Sequence, residues 1–475
     1  MFLRIVTKYG LAAHLALLAS LPVALTPFLG GDALAGTVLW LCAFSLIWLL
    51  MEPALHSGEG LTDARKRVLL ALVKDPFTWL FMTAIVIAAI RWLNSGISLF
   101  YDAEQTLWLV KDRALENMPG GVDGTGYLPF AVTLGVALTV QGIRHGLGPK
   151  GRAWFSIAAS TVVGAGGLAL TILALVGVEG FEKEALARYG AAPYMGSVFA
   201  GWAFVQIAAA AQAETYKWGY ARFPFWLGMG GNIGAIALFM PPIEALSILG
   251  AVLVFSLFSV VYVMRSVSKG AMARILVILV FSILVPVLSY MLAANERVIA
   301  DKTAQLDVES KKTMEAAAKA EAVEAVLDGI AQKVWLKSPW CGAGDGAYRL
   351  HLPFFATEED WEHLPPTPGL PSNSYWALLS ERGIVGAGVL ATIVAFLLCT
   401  WGYRLVMGVI ALKGESDIDI FPFAVSPLAW VAPLVLATMA TDALWSSVFQ
   451  LKSFLFTLAV PMALSAASFP RPKKK

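Results

Sequence analysis

Residues Val334–Gly386 read VWLKSPWCGAGDGAYRLHLPFFATEEDWEHLPPTPGLPSNSYWALLSERGIVG. This stretch is polar and rich in Gly and Pro, whereas most of the chain around it is strongly apolar. It follows a charged, Ala-rich segment and runs directly into an apolar segment long enough to cross a bilayer. The chain therefore divides into apolar segments and one long polar insertion, and we expect any chemistry to be done in that insertion.

The composition is that of an integral membrane protein. Of the 475 residues, 58% are hydrophobic and 14% are charged, whereas soluble domains carry roughly 25% charged residues. A helix needs about 20 apolar residues to cross the hydrocarbon core, so the sequence predicts an all-α polytopic helical bundle with about 12 transmembrane helices. The candidate spans are Leu11–Leu29, Ala33–Met51, Phe77–Gly96, Leu128–Leu147, Trp154–Val178, Tyr194–Ala213, Phe225–Met240, Pro242–Met264, Ile275–Ala294, Gly383–Tyr403, Phe423–Thr441 and Leu444–Ala466.

Basic residues indicate how these spans are oriented. Counted over alternate connections and both termini, twenty Lys and Arg residues fall on one face, and the short connections on the other face carry four. The positive-inside rule then predicts that both termini are cytoplasmic. The expected organisation is spans one to nine in residues 1–294, a large extracytoplasmic loop in 295–382 between spans nine and ten, and the last three spans with a basic tail in 383–475.

The first part of the loop, Asp301–Val334, has an amphipathic pattern. Its apolar residues recur at helical spacing and its charged residues fall mostly on the other side. A helix with this pattern either lies along the membrane surface or packs on the rest of the loop. The apolar positions are Val323, Val326, Leu327, Ile330 and Val334.

Several residues near the outer face are suited to binding a phosphate group. Gly342 and Gly344 belong to a small-residue turn that either presents backbone N–H groups to an anion or is simply structural. Arg91, near the end of the third span, either marks a site or snorkels to the headgroups. A guanidinium group can donate two parallel hydrogen bonds to two oxygens of one phosphate group. Besides Arg91, the outer-face arginines are Arg188, Arg349 and Arg382.

Four residues are candidates for a general base. Histidine titrates near neutral pH, which favours His351 and His363, whereas a carboxylate such as Glu381 or Asp345 needs burial to do so. No cofactor or nucleic-acid partner is expected. The three cysteines form no CxxC pair, so neither a metal site nor a disulfide framework is predicted.

Two elements of the stretch resemble the O-antigen ligase/O-antigen polymerase family of bacterial membrane glycosyltransferases. Pro339–Tyr348 is similar to the family's P-x-x-G-x-G-x-x-x-F element, and Ser372–Gly386 is similar to its H-N-x-x-L-x-x-x-x-E-x-G-x-x-G element. Asn373, Glu381, Gly383 and Gly386 match this pattern. The family's proposed catalytic histidine falls on Ser372, however, and the loop arginine expected about fifteen residues before Pro339 is missing.

The resemblance implies a transferase in the bacterial cytoplasmic membrane. It would move a glycan from a polyprenyl-diphosphate carrier to a hydroxyl of a glycan or lipid-linked acceptor, without a metal, at the outer face. Membrane lipids are the other expected partners. A different class, a multi-span transporter or flippase, fits the same span count. A non-catalytic member of the family's fold is a third alternative, because the histidine and the arginine are both replaced.

Overall fold

The computed structural model describes residues 2–26, 28–29, 31–57, 61–101, 107–111, 120–122, 127–176, 192–215, 222–239, 242–266, 308–364, 371, 373–412, 425–443 and 454–469. All structural statements below concern these residues. The elements in chain order are α1 (Phe2–Leu25), α2 (Gly31–Ser57), α3 (Leu61–Lys74), α4 (Pro76–Leu93), β1 (Ile97–Tyr101), β2 (Leu107–Lys111), α5 (Tyr127–Gln141), a π-helical turn (Gly142–Gly146), α6 (Pro149–Val176), α7 (Ala192–Thr215), α8 (Arg222–Phe239), α9 (Pro242–Ser266), α10 (Val308–Lys337), α11 (Tyr348–Phe355), α12 (Glu358–His363), α13 (Ser374–Leu412), a 3-10 turn (Pro427–Trp430), α14 (Val431–Asp442) and α15 (Phe454–Ser468).

The expectation of a helical membrane protein is confirmed, but the count of twelve spans stays a prediction. Within the described residues, six helices are long and apolar enough to cross a membrane, and four more apolar helices are shorter. The predicted ninth span, Ile275–Ala294, lies outside the described residues. The six are Asp32–Met51, Pro76–Leu93, Tyr127–Gly146, Pro149–Leu173, Ala245–Met264 and Ser374–Ala411.

The outside of the bundle carries many large apolar side chains. Trp40, Trp79 and Leu93 expose 69%, 61% and 73% of their surface, and large exposed apolar side chains of this kind cluster on α2, α4, α9 and α13. A soluble monomer rarely presents such a surface to water. The exposed side chains therefore face lipid, as the hydropathy of the helices requires.

Helices α6 and α8 cross at glycines. A Cβ atom on Gly164 would collide with the backbone of Gly228, and a Cβ on Gly231 would collide with the carbonyl of Gly164. Small residues let helix backbones approach closely, and packing of this kind drives helix association in lipid, where hydrophobic burial between helices gives little. The crossing joins two of the helices that enclose the buried α7.

The polar insertion forms a second, smaller core at one end of the bundle, which we call the loop end. The apolar face of α10 is buried there, with Leu327, Ile330 and Val334 packed against Tyr348 and Leu352. The predicted amphipathic segment Asp301–Val334 is helical from Val308 onward, and its residues 301–307 lie outside the described residues. Its apolar stripe packs on the rest of the loop, and the alternative of a stripe lying on the membrane surface is wrong for these residues.

One element departs from the all-α expectation. Strands β1 and β2 pair antiparallel, with Ile97 opposite Lys111 and Tyr101 opposite Leu107. Backbone amides of Gly96 and Ile97 donate to the Gly121 carbonyl, which ties this ribbon to the segment 120–122. The ribbon lies beside the polar insertion, since Ile97 belongs to the second core.

Candidate functional site

The site is built around a break in α13. Asn373 caps the start of this helix, because its Oδ1 accepts hydrogen bonds from the backbone N–H groups of Tyr375 (2.9 Å) and Trp376 (3.4 Å). Nine residues into the helix, Gly383 has φ 62° and ψ −172°, a conformation that is essentially confined to glycine. The helix therefore bends between Glu381 and Ile384 and exposes backbone groups that need partners.

The turn Ser338–Gly344 supplies those partners. Ala343 N donates to the Ser380 carbonyl at 2.8 Å, and Gly344 N donates to the Glu381 carbonyl at 3.0 Å. In the opposite direction, Ile384 N donates to the Pro339 carbonyl at 2.9 Å. Backbone hydrogen bonds in both directions thus lock the turn onto the broken helix, and we call this paired unit the turn–kink lock.

The lock bears on the two alternatives for Gly342 and Gly344, which are an anion-binding turn and a structural turn. Gly342 N donates to the Ser338 carbonyl at 2.8 Å, and Gly344 N is used by the Glu381 carbonyl. Both residues have positive φ, and a Cβ on Gly342 would collide with the backbone of Glu381. Because their backbone N–H groups already donate to protein carbonyls, the role of these glycines is to let the turn approach the backbone of α13 closely.

The lock brings a cluster of charged side chains together at the loop end of the bundle. Arg382 Nε donates to Asp345 Oδ1 at 2.9 Å, and Arg91 Nη1 lies 3.6 Å from the same oxygen. Arg91 Nη2 donates at 3.0 Å to the carbonyl oxygens of Cys341 and Arg382. Glu381 is also buried and interacts electrostatically with both arginines.

Arg91 lies inside the protein, so the snorkelling alternative is wrong. Its side chain is 4% exposed. Nε and Nη1 have no hydrogen-bond acceptor among the described residues, because the approach of Nη1 to Asp345 is an ion pair beyond hydrogen-bond length. Buried donors are nearly always satisfied, and an exception calls for a bound water, ion or ligand.

An apolar crevice leads away from this cluster. It has a volume of about 90 Å³ and runs between α4, α5, α13 and α15. One end of the crevice is lined by Arg91, Asp345 and Arg382. Most of the rest is lined by aliphatic side chains, among them Val389 and Ile393. The arrangement joins charged groups to an apolar groove, which suits an amphipathic ligand.

The other candidate residues lie in different surroundings. His351 on α11 is buried, with Nδ1 2.9 Å from the Ala347 carbonyl oxygen. If Nδ1 carries the proton, Nε2 remains as a base. His363 and Arg349 are exposed. Arg188 and Ser372 lie outside the described residues.

Sequence reasoning missed how Asp345 is used. The sequence offers Asp345 as a candidate base, yet in the structure its carboxylate joins Arg91 to Arg382, and its carbonyl accepts from Val122 N at 3.2 Å. The feature of the sequence that pointed to this role is the position of Asp345 between Gly344 and Gly346. Both glycines have positive φ and turn the chain sharply.

A second charged cluster lies at the other end of the bundle. The Asp75 carboxylate caps α4 by accepting from Phe77 N and receives Nε and Nη2 of Arg144 at 3.0 and 3.1 Å. His145 Nε2 lies 2.7 Å away. Burial alone would raise the pKa of Asp75, but the hydrogen bonds from His145 and Arg144 outweigh it and hold the pKa below its usual value of 3.8.

Asp75→Asn is expected to destabilise the protein at neutral pH by about 3 kcal/mol, because it leaves Arg144 without its buried partner. A carboxylate with a lowered folded-state pKa stabilises the fold above its unfolded pKa, and this contribution is lost as pH falls through the folded value. The free energy of unfolding of the wild type should therefore decrease as the pH is lowered below about 4. The variant should not show the part of this decrease that comes from Asp75.

Thermal unfolding in detergent between pH 3 and pH 7 measures both effects. Asp63→Asn is the matched control, since Asp63 is exposed on the adjacent helix α3. Equal midpoints for Asp75→Asn and wild type at neutral pH would contradict the stabilising role of the cluster.

A larger cavity of about 980 Å³ lies beside this second cluster. It is bounded by the π-helical turn, the start of α6, the end of α15 and the second half of α13. Arg144, Arg152 and Arg404 line it. This end of the bundle is the one that the positive-inside pattern assigns to the cytoplasm.

No protein-family model, curated protein or solved structure matches this chain. Within the described residues, no group of three or more His, Cys, Asp and Glu side chains is arranged to hold a metal ion. The function proposed below therefore rests on the residues themselves and on the sequence resemblance.

Proposed function

We propose that this protein transfers a glycan from a polyprenyl-diphosphate carrier to an acceptor hydroxyl at the outer face of a bacterial cytoplasmic membrane. The observation that carries the proposal is the buried Arg91 guanidinium. The guanidinium lies at one end of the apolar crevice. Two of its nitrogens, Nε and Nη1, lack a hydrogen-bond acceptor among the described residues.

The crevice and its head match the two halves of such a carrier. Phosphate oxygens are strong acceptors for guanidinium donors, and Nε and Nη1 of Arg91, where the crevice begins, have no acceptor among the described residues. The aliphatic walls formed by α4, α5 and α13 suit an isoprenoid chain. A volume of about 90 Å³ holds only the first part of such a chain, and the remainder would lie against the apolar outer surface.

The charges in the cluster limit how a diphosphate can bind. Asp345 and Glu381 balance the formal charges of Arg91 and Arg382 before any ligand arrives. A diphosphate must therefore use donors that these carboxylates leave open, and Nε and Nη1 of Arg91 are two buried ones that lack an acceptor among the described residues. Arg188, which lies outside the described residues, remains a further candidate cation.

The reaction requires one proton transfer. The bond between the anomeric carbon and the diphosphate oxygen breaks, and the acceptor oxygen forms a new bond to that carbon. The acceptor's proton passes to a base, and the carrier leaves as the diphosphate anion. Donors already in place stabilise the charge growing on the leaving group, and Arg91 has the geometry for this role.

Glu381 is the base that we favour. It is buried beside both arginines, at the bend of α13, so it adjoins the place where the diphosphate would bind. His351 is the second candidate, through Nε2. His363 is exposed on α12 and is the weakest of the three. Ligation to a lipid-linked core, polymerisation of glycan repeats and transfer to a protein hydroxyl would all use this chemistry.

Glu381→Gln is expected to lower transfer by about 100-fold or more, because a positioned base contributes at least that factor. The test is complementation of a deletion strain, with surface polysaccharide profiles and membrane levels of each variant measured together. Lys333→Gln is the control, since Lys333 makes an exposed 3.7 Å ion pair with Asp360 in the same loop and should restore the profile.

The outcome also tests the rival assignments. If deletion leaves every surface glycan unchanged, the transferase proposal fails. If Glu381→Gln restores the profile and His351→Gln does not, the base is His351. If both variants restore it while deletion abolishes it, the catalytic assignment is wrong and a role as a non-catalytic partner is favoured.

A transporter is the second candidate, and the cavity of about 980 Å³ at the opposite end of the bundle favours it. A transporter should also have polar or broken helices near the middle of the membrane. Among the described residues, the buried charged side chains lie toward the two ends, at Asp75 and at the Arg91 cluster. Uptake of glycan precursors into vesicles containing the protein would support the transporter.

A further inference from the structure

We propose that helix α3 lies in the membrane interface, at the end of the bundle opposite the loop, and binds the headgroups of anionic phospholipids. This surface is separate from the Arg91 cluster and does not depend on the proposed transfer reaction. The positive-inside pattern assigns this end of the bundle to the cytoplasm. Anionic lipids of the cytoplasmic leaflet attract basic segments that lie beside a membrane span.

The first half of α3 carries positive charge. The helix has fourteen residues, of which four are Lys or Arg and one is Asp. Arg65, Lys66 and Arg67 are consecutive and exposed. Consecutive residues of a helix project about 100° apart, so the three side chains spread around the helix. Such a spread suits a surface made of many headgroups better than one compact ligand.

The second half of α3 exposes apolar side chains. Leu69, Leu70 and Val73 expose 52%, 49% and 57% of their surface, whereas Val68 is buried in the core of the bundle. The protein therefore covers one side of this half and leaves large aliphatic groups on the other. Exposed aliphatic side chains next to a basic run are typical of helices that lie in a membrane interface.

The exposed apolar side chains of α3 continue the lipid-facing surface of the bundle. Helix α3 packs against α2 and α4, and both carry large exposed apolar side chains. Trp79, in the first turn of α4, is 61% exposed, and its Nε1 donates to the Val73 carbonyl at 3.0 Å. Tryptophan is enriched at membrane–water interfaces, so this hydrogen bond holds the end of α3 at the depth of the interface.

A phospholipid surface accounts for both halves of the helix. Its headgroups attract the basic run, while its acyl chains cover Leu69, Leu70 and Val73. Both are present wherever α2 and α4 cross a bilayer. A soluble protein partner would have to bring an acidic surface and an apolar surface together at the same place.

Hydrogen–deuterium exchange of α3 in the full-length protein tests the proposal. The purified protein would be placed in nanodiscs of phosphatidylcholine alone, or of phosphatidylcholine and phosphatidylglycerol in equal parts. We expect phosphatidylglycerol to slow exchange in α3 by about 5-fold for each basic side chain that reaches the headgroups. Arg65→Gln combined with Lys66→Gln should lose about that factor for each charge removed.

Lys333→Gln combined with Lys337→Gln is the matched control. It removes the same number of charges from exposed positions at the loop end, so α3 should respond to phosphatidylglycerol as in wild type. Leu69→Gln combined with Val73→Gln leaves the charge unchanged. This variant should exchange about 10-fold faster in both kinds of nanodisc, because two large aliphatic side chains lose their cover.

Two results would overturn the proposal. One is equal exchange of wild-type α3 in the two kinds of nanodisc, which would show that anionic headgroups do not bind it. The other is protection of α3 only in nanodiscs that hold two copies of the protein, which would identify a second copy as the occupant of this surface.

Discussion

Gly383→Ala is expected to cost about 3 kcal/mol or more in stability and to remove most of the folded protein from the membrane. The conformation at φ 62° and ψ −172° costs a residue with a side chain about 1–3 kcal/mol. The added Cβ would also collide with the Trp340 carbonyl and the Gly342 amide. These are backbone atoms of the turn–kink lock, so no side-chain rotation relieves the collision.

Gly388→Ala is the matched control because it lies on the same helix, has no positive φ, and would place its Cβ in open space. It should be neutral or slightly stabilising, since alanine favours a helix over glycine by about 0.5–1 kcal/mol. Membrane level and thermal midpoint in detergent measure both variants. Equal membrane levels and thermal midpoints for the two variants would show that the α13 break tolerates a side chain and that the lock does not hold the loop.

Patterns that arise within one element could be read from the sequence. The apolar positions of α10 recur every three or four residues because they face one neighbour, and Leu327, Ile330 and Val334 are indeed buried together. The apolar runs likewise predicted where α2, α4 and α6 lie. The sequence did not predict where the α10 stripe packs, since a loop core and a membrane surface demand the same periodicity.

Contacts between distant segments left no such pattern. Arg91 and Cys341 are 250 residues apart, and neither position shows locally that the guanidinium donates to that carbonyl. For the same reason Gly342 and Gly344 were interpretable as an anion cradle until the partners of their amides were known. The resemblance to the transferase family did direct attention to Glu381, Gly383 and the glycine turn, which the fold brings together.

Arg91→Gln is expected to abolish the proposed transfer and to destabilise the loop end by about 3 kcal/mol, the lower range for removing one partner of a buried ion pair. Arg91→Lys keeps the charge but cannot donate from a rigid fork to two carbonyls while reaching Asp345. We therefore expect Arg91→Lys to lose about 100-fold in transfer, the usual effect of removing one oxyanion donor, with a smaller loss of stability.

A double-mutant cycle with Asp345→Asn separates the structural role of Arg91 from its role in transfer. If Arg91 and Asp345 stabilise the fold as a pair, the double variant should be more stable than the sum of the single effects predicts, by about 0.5–3 kcal/mol. Its transfer activity should nevertheless stay as low as that of Arg91→Gln, because the phosphate donors are still missing. Recovery of transfer together with stability would mean that Arg91 supports the loop and does not contact the diphosphate.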